Sequence, residues 1–297
     1  TGVRTEQSPG RFRLTTDGGP TRFGWIPAAD SWRRWFFPPE EELLRIRRTD
    51  GSFVVTHPAP PAQPLALIGA RDCEVRGLAV LDRVLLEGEH PDPRYAARRE
   101  GAFIVAVTCG EPADTCWCTS AGGGPRPAAG FDIRLTEVTG GAHRLVAEAG
   151  TTRGADVLAA VAERCAAPSA GERDVADAAE VAHQAADRIR RPVDASALPD
   201  LLAGTDLHPH WDDVASRCLS CANCTLVCPT CFCVTIDDVT PLTDDGSPAM
   251  ESVRRQQWAS CFQLDHSNLG GRPVRSTTAA RYRQWLTHKL ASWIDQF

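Results

Sequence analysis

Short apolar runs alternate with helical repeats along the first part of the chain. Leu65 to Gly69 and Ala102 to Thr108 are apolar runs of strand length, bounded by Pro, Gly or polar residues. Between them, Glu74 to Leu86 places apolar residues at helical spacing, and Asp92 to Glu100 is predicted as a second helix. This alternation predicts an α/β fold, a class in which ligands commonly bind at strand ends.

The pattern then changes to a hairpin. Phe131 to Val138 and His143 to Ala149 resemble two strands joined by a Gly-Gly turn, and Gly154 to Cys165 returns to helical spacing. The first forty residues are rich in Gly, Pro, Arg and aromatic side chains, so we predict an irregular arm that packs its rings on a larger body. We expect residues 1–165 to form one α/β domain.

Ser52 to His57 is a further β-rich run, and several other segments are predicted to be helical. Asp174 to Arg191 is an Ala-rich, charged amphipathic segment that Pro192 ends. Further helices are predicted from the sequence Glu40-Glu-Glu-Leu-Leu-Arg-Ile, over Ala195 to Ala203, over Glu251 to Ser260, and from about Thr278 with Ser276 or Thr277 as its cap.

Charge and hydropathy exclude two classes of partner. The formal net charge is −6, and no basic stripe suited to phosphate binding is found, which argues against a nucleic-acid partner. No run reaches the roughly 20 apolar residues of a membrane span, and the polar start has no apolar signal core. The sequence therefore predicts a soluble, cytoplasmic protein without a membrane partner.

The Cys residues carry the strongest chemical signal. The segment Cys218-Leu-Ser-Cys221-Ala-Asn-Cys224-Thr-Leu-Val-Cys228-Pro229 is a C-x2-C-x2-C-x3-C-P run of the kind that bacterial ferredoxins use. Because the fourth Cys of such a run binds the other cluster in two-cluster ferredoxins, Cys228 is its least certain ligand. A zinc site is the alternative, although it normally uses two well-separated Cys pairs.

The predicted boundaries are an α/β domain at 1–165, a helical connector at 166–210, and a smaller helical, ferredoxin-like Cys-rich module at 211–297.

Three more Cys residues surround the same module. Cys231 and Cys233 follow the run, and Cys261 follows Trp258. They are either reserve ligands or packing residues, because a buried free Cys behaves as a small hydrophobe. The alternation of Cys231, Cys233 and Thr235 also fits one face of a strand.

A second Cys constellation lies in the first domain. Cys109, Cys116 and Cys118 leave the end of one predicted strand, and Cys73 follows another, so two adjacent strand ends could present four thiols to one cluster. The loop at Gly122-Gly123-Gly124 would allow close backbone approach. A zinc site or unrelated core thiols remain alternatives. We assign Cys165, on an apolar helix face, to packing.

Other kinds of site are less well supported. The Gly-rich loop lacks G-x-G-x-x-G and the Lys of a phosphate loop, and the His residues show no ligand spacing. A reactive Cys nucleophile would need a His base nearby in sequence, which only Cys261 with His266 offers. A zinc-stabilised binding protein is the main rival from another class.

Several linked motifs extend over nearly the whole chain. They are Phe37-Pro38-Pro39-Glu40-Glu41, Gly69-Ala-Arg71-Asp72-Cys73-Glu74, Asp92 to Glu100, Cys109 to Cys118, Gly130-Phe131-Asp132, Cys218 to Cys233, Trp258-Ala-Ser-Cys261-Phe262, and Arg281 to Lys289. In these motifs the chain resembles the iron–sulfur beta subunits of cytoplasmic bidirectional NiFe hydrogenases of the sulfhydrogenase type. It also resembles their relative, the corresponding iron–sulfur component of anaerobic sulfite reductase.

This resemblance implies a non-catalytic electron-transfer subunit. Such a subunit connects a flavin- and NAD(P)-binding partner, which holds FAD, to a catalytic metal subunit of the same complex, with hydrogenase the preferred host and sulfite reductase the alternative. The resemblance also implies the ligands of two [4Fe–4S] clusters in this chain. The N-terminal set is Cys73, Cys109, Cys116 and Cys118, and the first ferredoxin motif is Cys218, Cys221, Cys224 and Cys228.

The chain departs from the family in one respect. In the family, a second C-x2-C-x2-C-x3-C-P motif follows soon after a helix that matches the one ending in Trp293 to Phe297. We expect either that this C-terminal part, with a third cluster, is absent from the sequence, or that the protein lacks a cluster. In the latter case, the fourth ligand beside the first three Cys of the run is Cys228, Cys261 or a group outside the chain. Because the sequence begins with Thr1 and not with Met, we expect that its N-terminus is trimmed too.

Overall fold

The computed structural model describes residues 2–8, 11–16, 18–27, 31–59, 64–244, 246 and 249–297, so Thr1 lies outside it. Contacts divide the chain into two compact units. Unit 1 comprises Thr1–Trp32, Gln63–Asp82 and Glu100–Ser196, and unit 2 comprises Arg33–Ala62, Arg83–Arg99 and Ala197–Phe297. Each unit therefore combines segments that are distant in sequence. The continuous boundaries at 165 and 210 do not coincide with this division, and they stay a prediction.

The chain forms twelve strands and nine α-helices within the described residues. The strands are β1 (Val3–Ser8), β2 (Arg11–Thr16), β3 (Glu40–Thr49), β4 (Ser52–Thr56), β5 (Leu65–Ala70), β6 (Ala102–Val107), β7 (Ile133–Val138), β8 (Arg144–Ala149), β9 (Val234–Val239), β10 (Glu251–Trp258), β11 (Asn268–Leu269) and β12 (Arg272–Pro273). The helices are α1 (Arg33–Phe36), α2 (Asp72–Leu85), α3 (Pro93–Glu100), α4 (Thr152–Cys165), α5 (Glu172–Asp187), α6 (Leu198–Leu202), α7 (His210–Ser216), α8 (Asn223–Val227) and α9 (Thr278–Thr287). No helix within the described ranges is long and apolar enough to cross a membrane.

A four-stranded sheet with the order β5-β6-β7-β8 forms the centre of unit 1. Strands β5, β6 and β7 are parallel, and β8 returns antiparallel to β7. The apolar side chains of β6 are almost all buried, as expected for a strand in the middle of a parallel sheet. The prediction of these strands and of α2, α3 and α4 is confirmed. The carboxyl ends of β5 and β6 therefore lie side by side.

The side chain of Asp132, the residue before β7, holds the start of this strand through two hydrogen bonds. Its Oδ2 accepts the N–H of Ile104 at 2.8 Å, and its Oδ1 accepts the hydroxyl of Thr151 at 2.7 Å. Thr151 in turn caps α4 by accepting the N–H of Gly154 at 3.1 Å. A Cβ atom on Gly154 would lie 1.8 Å from the carbonyl oxygen of Asp132, so only Gly fits at this contact.

The N-terminal arm is more regular than predicted. Strands β1 and β2 form an antiparallel pair in which Val3 lies opposite Thr16 and Ser8 lies opposite Arg11. Most of their side chains are exposed. Because an exposed strand needs no apolar face, the sequence does not show the apolar alternation by which a half-buried strand is recognised. The prediction of a wholly irregular arm is therefore wrong.

Unit 2 contains an antiparallel sheet with the order β4-β3-β10-β9. Two segments that were predicted as helices, at Glu40 and over Glu251 to Ser260, are the paired strands β3 and β10 in this sheet. Their Glu, Leu, Arg and Gln residues favour helices, but propensity is a weak effect that tertiary pairing overrides. The pairing joins Arg47 to Glu251, which are 204 positions apart. The C-terminal module is thus mixed, and not mainly helical as predicted.

The last helix begins where the sequence places it. Thr277 accepts the N–H of Ala280 at 3.1 Å, which confirms this residue as the N-cap of α9. The mixed α/β class is confirmed by both units, whereas a ferredoxin-like arrangement of the C-terminal part stays a prediction.

Neighbouring positions on β5 allow a matched test of the unit 1 core. Leu67 is 1% exposed, whereas Ile68 is 57% exposed. We predict that Leu67→Ala lowers the free energy of unfolding by about 2–5 kcal/mol, because it removes buried methyl groups and leaves a cavity. Ile68→Ala, the control, should cost less than about 1 kcal/mol. Denaturant unfolding followed by circular dichroism measures both, and equal effects would contradict the placement of β5.

Candidate metal centres

Four thiols meet beyond the carboxyl ends of β5 and β6 in unit 1. Cys73 is the second residue of α2, directly after β5, and Cys109 lies two residues beyond the end of β6. Cys116 and Cys118 follow on the same loop, and Cys118 opens a 3₁₀ turn that extends to Ala121. The sulfur atoms of Cys109, Cys116 and Cys118 all lie within electrostatic reach of the Cys73 sulfur. The structure thus places all four Cys residues of the predicted N-terminal set at one end of the unit 1 sheet, and their role as ligands stays a prediction.

These thiols occupy desolvated surroundings. Burial among protein atoms raises the pKa of Cys73 to about 12, although this residue borders solvent. Burial also raises the pKa of Cys109, against the opposing effect of the Arg71 charge, and the pKa of Cys118. Such thiols stay protonated at neutral pH unless a cation stabilises the thiolate, and metal coordination deprotonates a thiol outright.

Arg71 is the side chain that ties this thiol site to the rest of unit 1. It is 2% exposed, and its guanidinium donates to the carbonyl of Thr108 at 3.1 Å, immediately before Cys109. It also donates to the carbonyls of Phe23 at 2.6 Å and Trp25 at 2.7 Å. The positive charge lies within electrostatic reach of both Cys109 and Cys73. The buried Arg71 side chain therefore fixes the loop and places a positive charge near the thiols of Cys109 and Cys73.

The Gly-rich loop approaches the same site through its backbone. The N–H of Gly124 donates to Oδ2 of Asp72 at 3.1 Å, and a Cβ atom on Gly123 would lie 2.7 Å from that oxygen. The close approach predicted for this loop therefore involves the carboxylate beside Cys73. On the facing segment, the N–H of Ala113 donates to the sulfur of Cys116 at 3.3 Å.

The donor set fits an iron–sulfur cluster. Among the described residues, no group of three or more His, Cys, Asp or Glu side chains converges as the ligands of one metal ion do. A [4Fe–4S] cluster takes one thiolate at each iron atom, and this site offers four Cys side chains, of which Cys109, Cys116 and Cys118 lie within electrostatic reach of Cys73. The Nε–H of Arg71 is buried and has no hydrogen-bond partner in the described part of the chain, so a sulfur acceptor would satisfy it.

The second Cys run occupies a strained loop and a short helix in unit 2. Cys218 and Cys221 lie within electrostatic reach of Cys224, which is the second residue of α8. Ser220 and Ala222, between these Cys residues, have φ values of 52° and 62°. Such left-handed conformations cost roughly 1–2 kcal/mol for residues other than Gly. Strain of this kind often occurs at binding sites, and here it brings three thiols together.

Arg33 holds the end of this helix. Its guanidinium donates to the carbonyls of Thr225 at 3.1 Å and Leu226 at 2.8 Å, which the last turn of α8 leaves without helical partners. It also donates to the carbonyl of Cys231 at 2.6 Å and lies 3.6 Å from the ring centre of Trp258. Arg33 is 3% exposed. It is therefore the unit 2 counterpart of Arg71.

Cys228 is in contact with Cys231. A hydrogen bond from the Cys231 thiol lowers the pKa of Cys228, and the positive charge of Lys289 acts in the same direction. The hydroxyl of Thr230 lies 3.2 Å from the Cys228 sulfur and accepts a hydrogen bond from Lys289 at 2.7 Å. The placement of Cys228 with the first three thiols of the run stays a prediction.

The remaining Cys residues are placed differently from our expectation. Strand β9 begins at Val234, so Cys231 and Cys233 precede the strand on which they were predicted to alternate. Both border a cavity of about 160 Å³, which Cys261 also lines. Cys165 is exposed at the end of α4 because this face of the helix is not covered, which corrects its assignment to packing.

The sequence patterns did not point to the charged residues around the thiols. The position of Arg71, two residues before Cys73, could have indicated a role beside the thiol. Arg33 could not be recognised from its sequence neighbours, because the carbonyl groups that it binds lie almost 200 positions away. Lys289 is the only Lys in the sequence, whereas the other basic residues apart from His are all Arg. This exception could have drawn attention to Lys289 as a functional residue.

Comparison with known proteins agrees with this chemistry. Residues 217–297 match a family described as a 4Fe-4S dicluster domain. The chain is 29% identical over 259 residues to the protein named sulfhydrogenase 2 subunit beta from Pyrococcus furiosus, in a match that covers 84% of this chain and 70% of that protein. No solved structure gives a significant match. The predicted resemblance to iron–sulfur beta subunits is confirmed by these matches.

Replacement of Arg71 tests its role in the unit 1 site. Arg71→Met removes the donor from three main-chain carbonyl groups, those of Thr108, Phe23 and Trp25, so we predict a loss of at least about 3 kcal/mol in the free energy of unfolding. Arg164→Met, at an exposed position of α4, is the control and should change it by less than about 0.5 kcal/mol. Denaturant unfolding followed by Trp fluorescence measures both. Similar stabilities for the two variants would show that Arg71 does not anchor the loop.

Proposed function

We propose that this chain, a homologue of a sulfhydrogenase beta subunit with a 4Fe-4S dicluster domain, is the iron–sulfur electron-transfer subunit of a sulfhydrogenase-like complex. One observation carries this proposal. The dicluster match begins one residue before Cys218, and the thiols of Cys218, Cys221 and Cys224 lie together in that segment around α8. Iron–sulfur clusters bound by thiolates transfer single electrons.

We further propose the partners between which the electrons pass. One is a subunit that binds flavin and NAD(P), and the other is a catalytic NiFe subunit, both in the cytoplasm. Support comes from the family resemblance of the motifs and from the name of the relative, which is a hydrogenase subunit. The same relative favours hydrogenase over sulfite reductase as the host complex.

The proposed ligands are the two sets implied by the resemblance. Cys73, Cys109, Cys116 and Cys118 would hold one [4Fe–4S] cluster, and the run from Cys218 to Cys228 would contribute to another. When bound, each cluster supplies one-electron chemistry. The surrounding residues would set the reduction potential of each cluster. Buried cations stabilise the negative charge that reduction adds, and N–H groups that donate to sulfur raise the reduction potential. Arg71 and the N–H of Ala113 fill these roles in unit 1.

Loss of one thiol ligand should interrupt electron flow without damage to either end of the complex. We predict that Cys109→Ala, in the purified complex, lowers the rate of hydrogen-dependent NAD(P) reduction about tenfold or more, because one step of the electron path is lost. Cys165→Ala is the matched control, since Cys165 is an exposed thiol outside both sets.

Partial reactions separate this effect from misfolding. Hydrogen-dependent viologen reduction and NAD(P)H-dependent dye reduction should stay within about twofold of wild type in both variants, because neither requires transfer between the distant sites. An unchanged coupled rate in Cys109→Ala would refute the proposed path through this site.

A further inference from the structure

Lys289, the only Lys of the chain, lies in an irregular turn of unit 2. Helix α9 ends at Thr287, and the chain continues from His288 to Ser292 as a single π-helical turn. The N–H of Trp293 closes this turn by donating to the carbonyl of His288 at 3.1 Å. Such i→i+5 turns are rare, and they occur frequently at functional sites.

The ammonium group of Lys289 contacts a hydroxyl and an aromatic ring. It donates to the hydroxyl oxygen of Thr230 at 2.7 Å and lies 4.0 Å from the ring centre of Phe297. The cavity of about 160 Å³ that Lys289 lines contains Arg275 as a second cation, and no described Asp or Glu lines it. Within the described part of the chain, the charge of Lys289 is therefore not neutralised by a carboxylate.

Thr230 connects this charge to the sulfur of Cys228. Its hydroxyl oxygen lies 3.2 Å from the Cys228 sulfur. Because an ammonium group can only donate, the oxygen of Thr230 accepts from Lys289, and the hydroxyl hydrogen is available to the sulfur. The same sulfur also accepts from the main-chain N–H of Thr230 and from the thiol of Cys231. Lys289, Thr230 and Cys228 thus form a relay in which each group donates in one direction.

The turn that carries Thr230 is held on both sides. Cys228 ends α8 with an extended backbone, at ψ 127°, and Pro229 cannot continue the helix. On the far side, Arg33 donates to the carbonyl of Cys231 at 2.6 Å. The hydroxyl of Thr230 is therefore kept between the ammonium group and the sulfur by main-chain constraints.

The relay favours negative charge on the sulfur. A hydrogen bond donated to a ligand sulfur raises the reduction potential of a cluster, because it stabilises the form that carries the added electron. The donation from Lys289 polarises the hydroxyl of Thr230, and hydrogen bonds in a chain strengthen one another. Removal of either group should therefore make the cluster harder to reduce.

We propose that Lys289 acts through Thr230 as a positioning residue that raises the reduction potential of the cluster to which Cys228 contributes. This inference rests on the proposed function, in which Cys228 is a ligand. It holds whether Cys228 binds the cluster of the first three thiols of its run or a different one. The relay makes that cluster a better acceptor for the electrons that the proposed partner subunits supply.

A redox titration of the anaerobically purified complex with dithionite, followed by EPR, tests the relay. Thr230→Val removes the hydroxyl and keeps the shape, and Lys289→Met removes the charge. Each should lower the midpoint potential of one cluster, with an equilibrium constant for reduction about threefold to tenfold smaller, or about 30 to 60 mV for a one-electron couple. The double variant should shift by less than the sum, because both substitutions break one relay. Thr230→Ser, which keeps the hydroxyl, should stay near wild type.

Arg272→Met is the control for the loss of a positive charge. Arg272 is exposed on β12 of the same unit and does not line the cavity, so its removal should leave every midpoint potential unchanged. A Thr230→Val complex with wild-type iron, sulfide and midpoint potentials would overturn the proposal. So would a shift in Arg272→Met equal to that in Lys289→Met. If Lys289→Met loses iron, the comparison of Thr230→Val with Thr230→Ser still decides. Absence of iron and sulfide in wild type would instead refute the proposed function itself.

Discussion

Buried guanidinium groups connect the Cys-bearing loops to the packed part of each unit. Arg71 and Arg33 each donate to three main-chain carbonyls. A buried cation is costly unless an anion lies nearby. The carboxylates of Glu74 and Glu137 lie within electrostatic reach of Arg71, together with the thiols of Cys109 and Cys73. The same contacts therefore shape the loops and place a positive charge near the thiols.

The two units position their thiols by different backbone routes. In unit 1 the parallel pairing of β5 and β6 places Cys73 and Cys109 at neighbouring strand ends, and regular structure suffices. In unit 2 the positions of Ser220 and Ala222 require left-handed backbone, at roughly 1–2 kcal/mol each. Metal binding contributes folding energy and can offset this strain. We therefore expect the loop around Cys221 to depend more on its cluster than the loop around Cys109.

The sequence predicted those parts of the molecule whose signals are local. The apolar runs of β5 and β6, the helical period of α2 and the spacing of the Cys run are each contained within a few residues, and the structure agrees with the first two. Strands β3 and β10 carry helix-forming residues, and their pairing across 204 positions has no local trace. Arg33 was missed for the same reason, since its carbonyl acceptors become neighbours only after unit 2 folds.

We propose that the thiols of this chain bind iron–sulfur clusters and not structural zinc. The most direct measurement is the iron, acid-labile sulfide and zinc content of the subunit in the anaerobically purified complex, combined with EPR after dithionite reduction. The account predicts iron and sulfide in nearly equal amounts, with the spectrum of a reduced [4Fe–4S] cluster. Zinc bound without sulfide would contradict it and would leave a zinc-stabilised scaffold in its place.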